Sequence, residues 1–374
     1  MGVRVCLIAV VVAGCSFHPG SLIGDDDGVI IDAPMADARP DTPPGSICFG
    51  SESGLYVECF LNAAAVPSGA YTPPTTYNTD EAANCSRIFQ QTGGPPLCVH
   101  WAGTITIGAA TRVTGSRAAV FLATDSIMIN QTLDASSFVG GSVGAAANTG
   151  ACNGSSNGTS DGNNGASAGG GGGGGGGFGT GGGDGGSGNA SGGSGGNAVA
   201  LALIRGGCAG RDGGGSSSAS GAAGGASGGV IYLIAKNSIE VSGSVRANGA
   251  GGEGAGNKAG GGGGGSGGLI VFDSATLSIT GTVFANGGGG GEGGDTNETG
   301  NSGKNPMMWN QRAAPGTGGA DNGGDGGSGS VGAMGGANGS SGGNGGGGGG
   351  GGGGLVKVYP QKAVNGMVSP PASF

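Results

Sequence analysis

One pattern of apolar and polar positions occurs four times along the chain. The segment from Ile231 to Gly249 aligns with Leu269 to Gly287 at a shift of 38 residues. Gly243, Val245, Ala247, Asn248 and Gly249 recur there as Gly281, Val283, Ala285, Asn286 and Gly287. An earlier copy runs from Ala119 to Ser136, and a degenerate last one from Leu355 to Pro370. The second half of each copy alternates: Ile239, Val241, Val245 and Ala247 point one way, and Ser238, Glu240, Ser242, Ser244 and Arg246 the other. The same apolar columns return as Ile127, Ile129, Leu133 and Ala135, and as Leu277, Ile279, Val283 and Ala285. The first half, Val230 to Ala235, is apolar on both faces, as in a strand covered on both sides, with Lys236-Asn237 as the expected turn. No single copy can bury its apolar columns alone, so the copies must stack. The expected fold is all-β, a β-solenoid of the parallel β-helix kind carrying long Gly/Asn/Ser-rich loops.

Composition sharpens one part of this picture and complicates another. Glycine makes up 102 of 374 residues, a fraction several times the roughly 7% of average proteins. Much of it lies in blocks that follow the repeats, at Gly169–Gly177, Gly260–Gly265, Gly287–Gly291 and Gly345–Gly354. Ordering glycine costs more backbone entropy than ordering any other residue, so the blocks read as loops outside the stack. Close-packed extended helices of the polyglycine-II kind, bonded backbone to backbone, are the alternative. Leu, Ile, Val and Phe total 63 residues, near the level at which chains become disordered. Their concentration in short alternating segments favours an ordered β core. A net charge of −9 spread over this length argues against nucleic acid and anionic headgroups as partners.

The N-terminal segment carries an address. Arg4 precedes an apolar run from Val5 to Val12, too short to span a bilayer, and Val12-Ala13-Gly14-Cys15 has the form of a bacterial lipobox. The expected layout is a lipoprotein signal peptide over 1–14, then lipidated Cys15 and an acidic, proline-rich tether over 15–47. A disulfide-stapled cap region over 48–103 and a glycine-rich repeat domain over 104–374 complete it. Cys6 leaves with the signal and Cys15 takes lipid, leaving Cys48, Cys59, Cys85, Cys98, Cys152 and Cys208. An even number in an oxidising compartment reads as disulfides. Nearness in sequence pairs Cys48 with Cys59, Cys85 with Cys98 and Cys152 with Cys208.

Chemistry-bearing motifs are sparse. In a chain this rich in glycine, Gly-x-Gly-x-x-Gly arises by chance and implies no nucleotide. Gly-Gly-Asp-Gly-Gly at Asp184 and Asp325 lacks the apolar residue that calcium-binding nonapeptides place two positions after the Asp. No Cys-x-x-Cys or Cys/His pair suggests a metal site, and no cofactor is expected. Only His18 and His100 could serve a hydrolytic triad, and the acids Asp125, Asp134, Glu240 and Asp273 stand apart without a basic partner set.

The lipobox, the Asp-Ala-Pro tether, Cys48-Phe-Gly-Ser51, the repeated Val-x-Ala-Asn-Gly and the terminal run from Gly350 to Val358 before Val-Ser-Pro form a set. Together they resemble the glycine-rich surface lipoproteins of myxobacteria and related deltaproteobacteria. The resemblance implies a location in the cell envelope, anchored by lipid to the outer membrane and exposed at the surface. The expected role is non-catalytic, structural, adhesive or in a matrix, with glycans or other cell-surface components as partners. A polysaccharide-binding or polysaccharide-degrading β-helix is the alternative.

Overall fold

The computed structural model describes residues 44–148, 160–165, 169–332, 334–336 and 338–374. Its strands, in chain order, are β1 (Ile47–Phe49), β2 (Glu58–Phe60), β3 (Ala70–Tyr71), β4 (Thr76–Asn78), β5 (Arg87–Phe89), β6 (Leu97–Ile107), β7 (Thr111–Thr114), β8 (Ala118–Ile129), β9 (Thr132–Asp134), β10 (Val230–Val241), β11 (Ser244–Arg246), β12 (Leu269–Ile279), β13 (Thr282–Phe284), β14 (Leu355–Tyr359) and β15 (Met367–Ser369). Helix is confined, among the described residues, to single turns at Ala63–Ala65 and Ala82–Asn84. The protein is all-β, with parallel sheets.

Each repeat is a long strand followed by a short one in a second sheet. The first sheet runs β14-β12-β10-β8-β6-β3, with β5 antiparallel on β6, and the second runs β15-β13-β11-β9-β7-β4. The turn joining them is Ser242-Gly243, whose N–H groups both reach the Ile129 carbonyl of the copy beneath. Lys236-Asn237, the expected turn, instead lies inside β10. It marks a change of register: Val230 pairs with Leu269, but Ser238 pairs with Thr276, so the first half sits one residue off the 38-residue alignment. The slip was invisible because both faces there are apolar, and register is fixed only where one face differs from the other. Pairing Ile231 with Ile270 and Leu233 with Phe272 keeps these side chains on the face toward the second sheet.

Two cores result. Ile127, Ile239, Leu133, Val245, Val283 and Phe121, from both sheets, share one. Val120, Leu122, Tyr232, Ile234 and Val271 share the other with Phe49, Tyr56, Phe60, Phe178 and Ile204. The expected inward columns are buried, with Leu277 partly so. Ser244 departs from the expected outward column: it is buried, its hydroxyl bonded to that of Thr282 at 2.8 Å and accepting from Arg246 Nε at 3.0 Å. The stack also extends further toward the N-terminus than the four copies. β6 and β7 form another long–short pair, and β6 runs straight across the expected boundary at 103/104.

The glycine blocks are not loops outside the stack; they are ordered and bonded on all sides. The 169–177 run donates from Gly170, Gly173 and Gly176 to the carbonyls of Lys258, Gly261 and Gly264. From Gly171 and Gly174 it donates to Asn163 and Ser160, and from Gly172 and Gly175 to Gly186 and Gly183. It accepts in turn from Gly193 and Gly196, from Arg211 and Gly214, and from Gly346, Gly349 and Gly352. Each partner segment returns every third residue, the period of a polyproline-II-type helix. The 258–268, 286–295 and 345–354 runs are enclosed in the same way. The bonding is that of a hexagonal array in five rows: 160–165 and 190–197; 182–188, 169–177 and 208–214; 338–342, 345–354, 258–268 and 219–228; 324–330, 286–295 and 247–256; 313–317 and 300–305. The third row leads directly into β14, β12 and β10, while β13 and β11 lead into the fourth.

Glycine is required here for close approach. A Cβ on Gly173 would lie 2.0 Å from the Arg211 carbonyl oxygen, and one on Gly174 1.8 Å from that of Ser194. None of the glycines in the four enclosed runs has a positive φ, so a left-handed backbone is not the reason for the residue.

Candidate binding surface

The cap is pinned by two disulfides, Cys48–Cys59 and Cys85–Cys98, as their spacing suggested. Cys208 is disulfide-bonded too; Cys152, its expected partner, and Cys15 lie outside the described residues.

Acids that stood apart in sequence turn out to be braces. Asp273 is buried in the first sheet, where its Oδ2 accepts from the Ser51 N–H at 2.8 Å and from the Tyr232 hydroxyl at 3.2 Å. Burial, then the Asp273 charge, pushes the Tyr232 phenol well above its usual range. Glu58, also buried, accepts from the Tyr56 hydroxyl and pairs with Arg87 at 2.7 Å. These groups fasten the cap to the stack. Asp134 pairs with Arg112 at 3.4 Å, and Asp125 accepts from the Asn237 amide at 2.6 Å. His100 stacks on Tyr71 with ring centroids 3.7 Å apart, and its Nδ1 lies 3.0 Å from the Asn84 carbonyl. Burial lowers its pKa, against the raising effect of the Asn84 bond.

Two further acids organise the far end of the glycine array. Glu292 is buried and accepts from the backbone N–H groups of Asn301, Gly319 and Ala320. Asp295 accepts from the Thr296 N–H and the Asn322 and Asn344 amides; the Thr296 bond, then the Asn322 amide, holds it below the usual carboxylate range. Glu292 is held by backbone donors alone and Asp295 by backbone and amide donors together, so both serve to close turns. Among the described residues no group of three or more His, Cys, Asp or Glu side chains is placed to hold a metal ion.

The array's outer skin presents a different chemistry. In outer segments two of every three residues face neighbours and must be small, and the third faces water. Asp184 and Ser187 are exposed on one segment, Ser191, Ser194 and Asn197 on the next, and Asn338 and Ser340 on the third. The three segments are hydrogen-bonded side by side: Gly185 N–H to Gly193 O on one flank and Gly339 N–H to Asp184 O on the other. Three residues at ~3.1 Å rise put exposed side chains roughly 9 Å apart along the first two segments. The result is a polar face of hydroxyls and amides with the Asp184 carboxylate among them. Sequence reading passed over these residues, although Gly-Gly-x triplets at 182–197 and 323–328 were the available signal.

Comparison with protein-family models, curated proteins and solved structures yields no match.

Proposed function

We propose that the protein is a lipid-anchored component of the bacterial cell surface with an adhesive or structural, non-catalytic role. In this reading Cys15 carries the lipid and the acidic segment behind it is a spacer. The parallel stack is a β-solenoid, and the glycine array is its rigid extension. The observation that carries the proposal is the array's polar skin, where outward groups recur at every third residue of two hydrogen-bonded outer segments, at Asp184 and Ser187 and at Ser191, Ser194 and Asn197. Such groups bind sugars weakly one at a time, and many copies anchored on one surface convert weak contacts into avidity. The buried acids brace backbone, which supports a display role over hydrolysis.

Cells producing the full chain, compared with cells producing Cys15→Ala, provide the test. Lipid labelling and adhesion to polysaccharide-coated surfaces are expected only for the unaltered chain. Membrane retention of Cys15→Ala would defeat the anchor, and turnover of the polysaccharide would overturn the non-catalytic role.

A further inference from the structure

The glycine array has an end remote from the strands. Segments 208–214 and 219–228 run antiparallel, with Gly210 N–H bonded to Gly225 O and Gly213 N–H to Ala222 O. The second of them continues into β10, so the turn joining them sits at the opposite end. A shallow, wide-mouthed cavity of about 640 Å³ opens there, lined by Asn164, Asp212, Ser216, Ser217, Ser218, Ala219 and Ser220 together with glycine backbone. Its volume lies inside the range of roughly 300–1,000 Å³ typical of ligand pockets.

The wall is built partly by side chains that hold the turn. Asn164 Oδ1 accepts from Gly215 N–H at 2.6 Å, and Asp212 Oδ1 accepts from Gly224 N–H at 2.9 Å. Ser216 donates to the Asn257 carbonyl at 2.6 Å and its oxygen accepts from Ala219 N–H. These bonds fix the Asn164 amide nitrogen and the second Asp212 oxygen in place without using them. The hydroxyls of Ser217, Ser218 and Ser220 are equally unengaged, on a turn rigidly mounted on the array. Among the described residues the lining thus offers hydroxyl and amide donors and acceptors and one carboxylate, with no cation and no aromatic ring. An apolar ligand finds only the Ala219 methyl and glycine backbone to bury against, and an anion meets the Asp212 charge.

We infer that this cavity is a binding site for a neutral sugar unit, held through its hydroxyls by Asn164, Asp212, Ser217 and Ser220. The inference rests on the adhesive reading above and assigns it a site. Affinity per site is low in the absence of aromatic stacking, which suits a protein arrayed in many copies.

The test uses the full chain on immobilised neutral hexose and N-acetylhexosamine oligosaccharides. The paired variant Ser217→Ala/Ser220→Ala removes two hydroxyls that hold nothing in the fold. It is expected to weaken binding about tenfold, the effect of losing two net hydrogen bonds. Asp212→Asn keeps an acceptor for Gly224 and is expected to weaken it as well. Glu240→Ala, exposed on the strand stack away from both cavity and skin, is expected to leave it unchanged. Binding that survives the cavity variants and fails with Ser191→Ala/Ser194→Ala on the flat skin overturns the site and keeps the adhesive reading. Absence of binding to every sugar overturns both.

Discussion

The parallel strands and the glycine array are consecutive stretches of the same chain path, yet they solve the burial of backbone in opposite ways. In the strands, hydrogen bonds run in one plane, and side chains such as Ile239, Val245 and Phe272 fill the space above and below it. In the array, hydrogen bonds leave each enclosed segment in every direction, so no side chain has a place to go. Ordering each glycine costs about 0.5–1 kcal/mol more than ordering an alanine, while a net hydrogen bond returns about 0.5–1.5 kcal/mol. With nearly every N–H of the enclosed runs bonded, the hydrogen bonds offset the extra cost of using glycine. The array stands because its bonding is complete, and the stack stands because its packing is.

The largest effect is expected where the stack's rule is broken. Val245→Asp puts a carboxylate among Leu133, Val283 and Ala247 with no partner, and should cost about 4 kcal/mol. Glu240→Ala, exposed on the long strand β10 of the same repeat, should change stability by less than about 0.5 kcal/mol. Equal shifts in urea midpoint for the two would refute the assignment of faces.

A methyl group separates the regions more sharply. Gly263→Ala adds one to an enclosed segment, where its Cβ would lie 2.1 Å from the Gly174 carbonyl oxygen. Backbone on both sides must move, and about 3 kcal/mol of stability should be lost. Val245→Ala removes methyls from the stack and should cost about 2 kcal/mol for the opposite reason, a cavity. A Gly263→Ala protein as stable as the parent would mean that the enclosed runs are not packed as described.

This contrast explains what was legible in the sequence. Alternation at Ile239 to Ala247 revealed which side chains face inward, because period two maps directly onto a strand. The register of Val230 to Ala235 did not show, since a stretch apolar on both faces reads the same when slipped by one. The glycine blocks were harder still. A residue without a side chain leaves no pattern of burial, and unbroken polyglycine looks alike in a mobile loop and an enclosed helix. What distinguishes them is the interrupted sequence around the blocks, such as Gly182-Gly183-Asp184-Gly185-Gly186-Ser187, whose period of three marks outer members of an array. Cys48–Cys59 and Cys85–Cys98 followed from an even cysteine count and nearness in sequence. The polar cavity did not, because Asn164 and Asp212 meet only through the bonding of distant segments.

The cap belongs to neither regime and depends on cross-links. Cys85→Ser/Cys98→Ser opens a loop with a sequence separation of 13, and should cost about 2–3 kcal/mol in thermal unfolding under non-reducing conditions. Reduction of the parent protein should reproduce that loss and add the effects of Cys48–Cys59 and of the Cys208 disulfide. An unchanged midpoint would show that the cap contributes nothing to the cooperative unit.

A smaller effect distinguishes cap from array by pH. Burial lowers the His100 pKa below its unfolded value, so the unfolded chain binds the proton more readily. His100 therefore leaves stability undiminished above the unfolded value, near 6.5, and subtracts from it as pH falls through that point. Melting temperature should drop between pH 7.5 and about 5.5, and His100→Gln should flatten that portion of the curve. A slope that persists in the variant would assign the titration to another group.

The smallest expected effect is also the most telling about the skin. Ser191 and Ser194 point to water from an outer segment whose backbone does the bonding: Asn163 N–H reaches the Ser191 carbonyl, and Ser160 N–H reaches that of Ser194. Replacing both by alanine leaves every one of those bonds in place and introduces no larger Cβ. Stability should therefore change by less than about 0.5 kcal/mol, as for surface positions in general. Gly193→Ala lies between the two serines, and its Cβ would stand 2.0 Å from the Ser160 carbonyl oxygen, so it should destabilise clearly. A pattern of tolerance at 191 and 194 and intolerance at 193 is what a three-residue helix packed on two sides requires. If all three positions accepted alanine equally, the outer segment would be a loop after all.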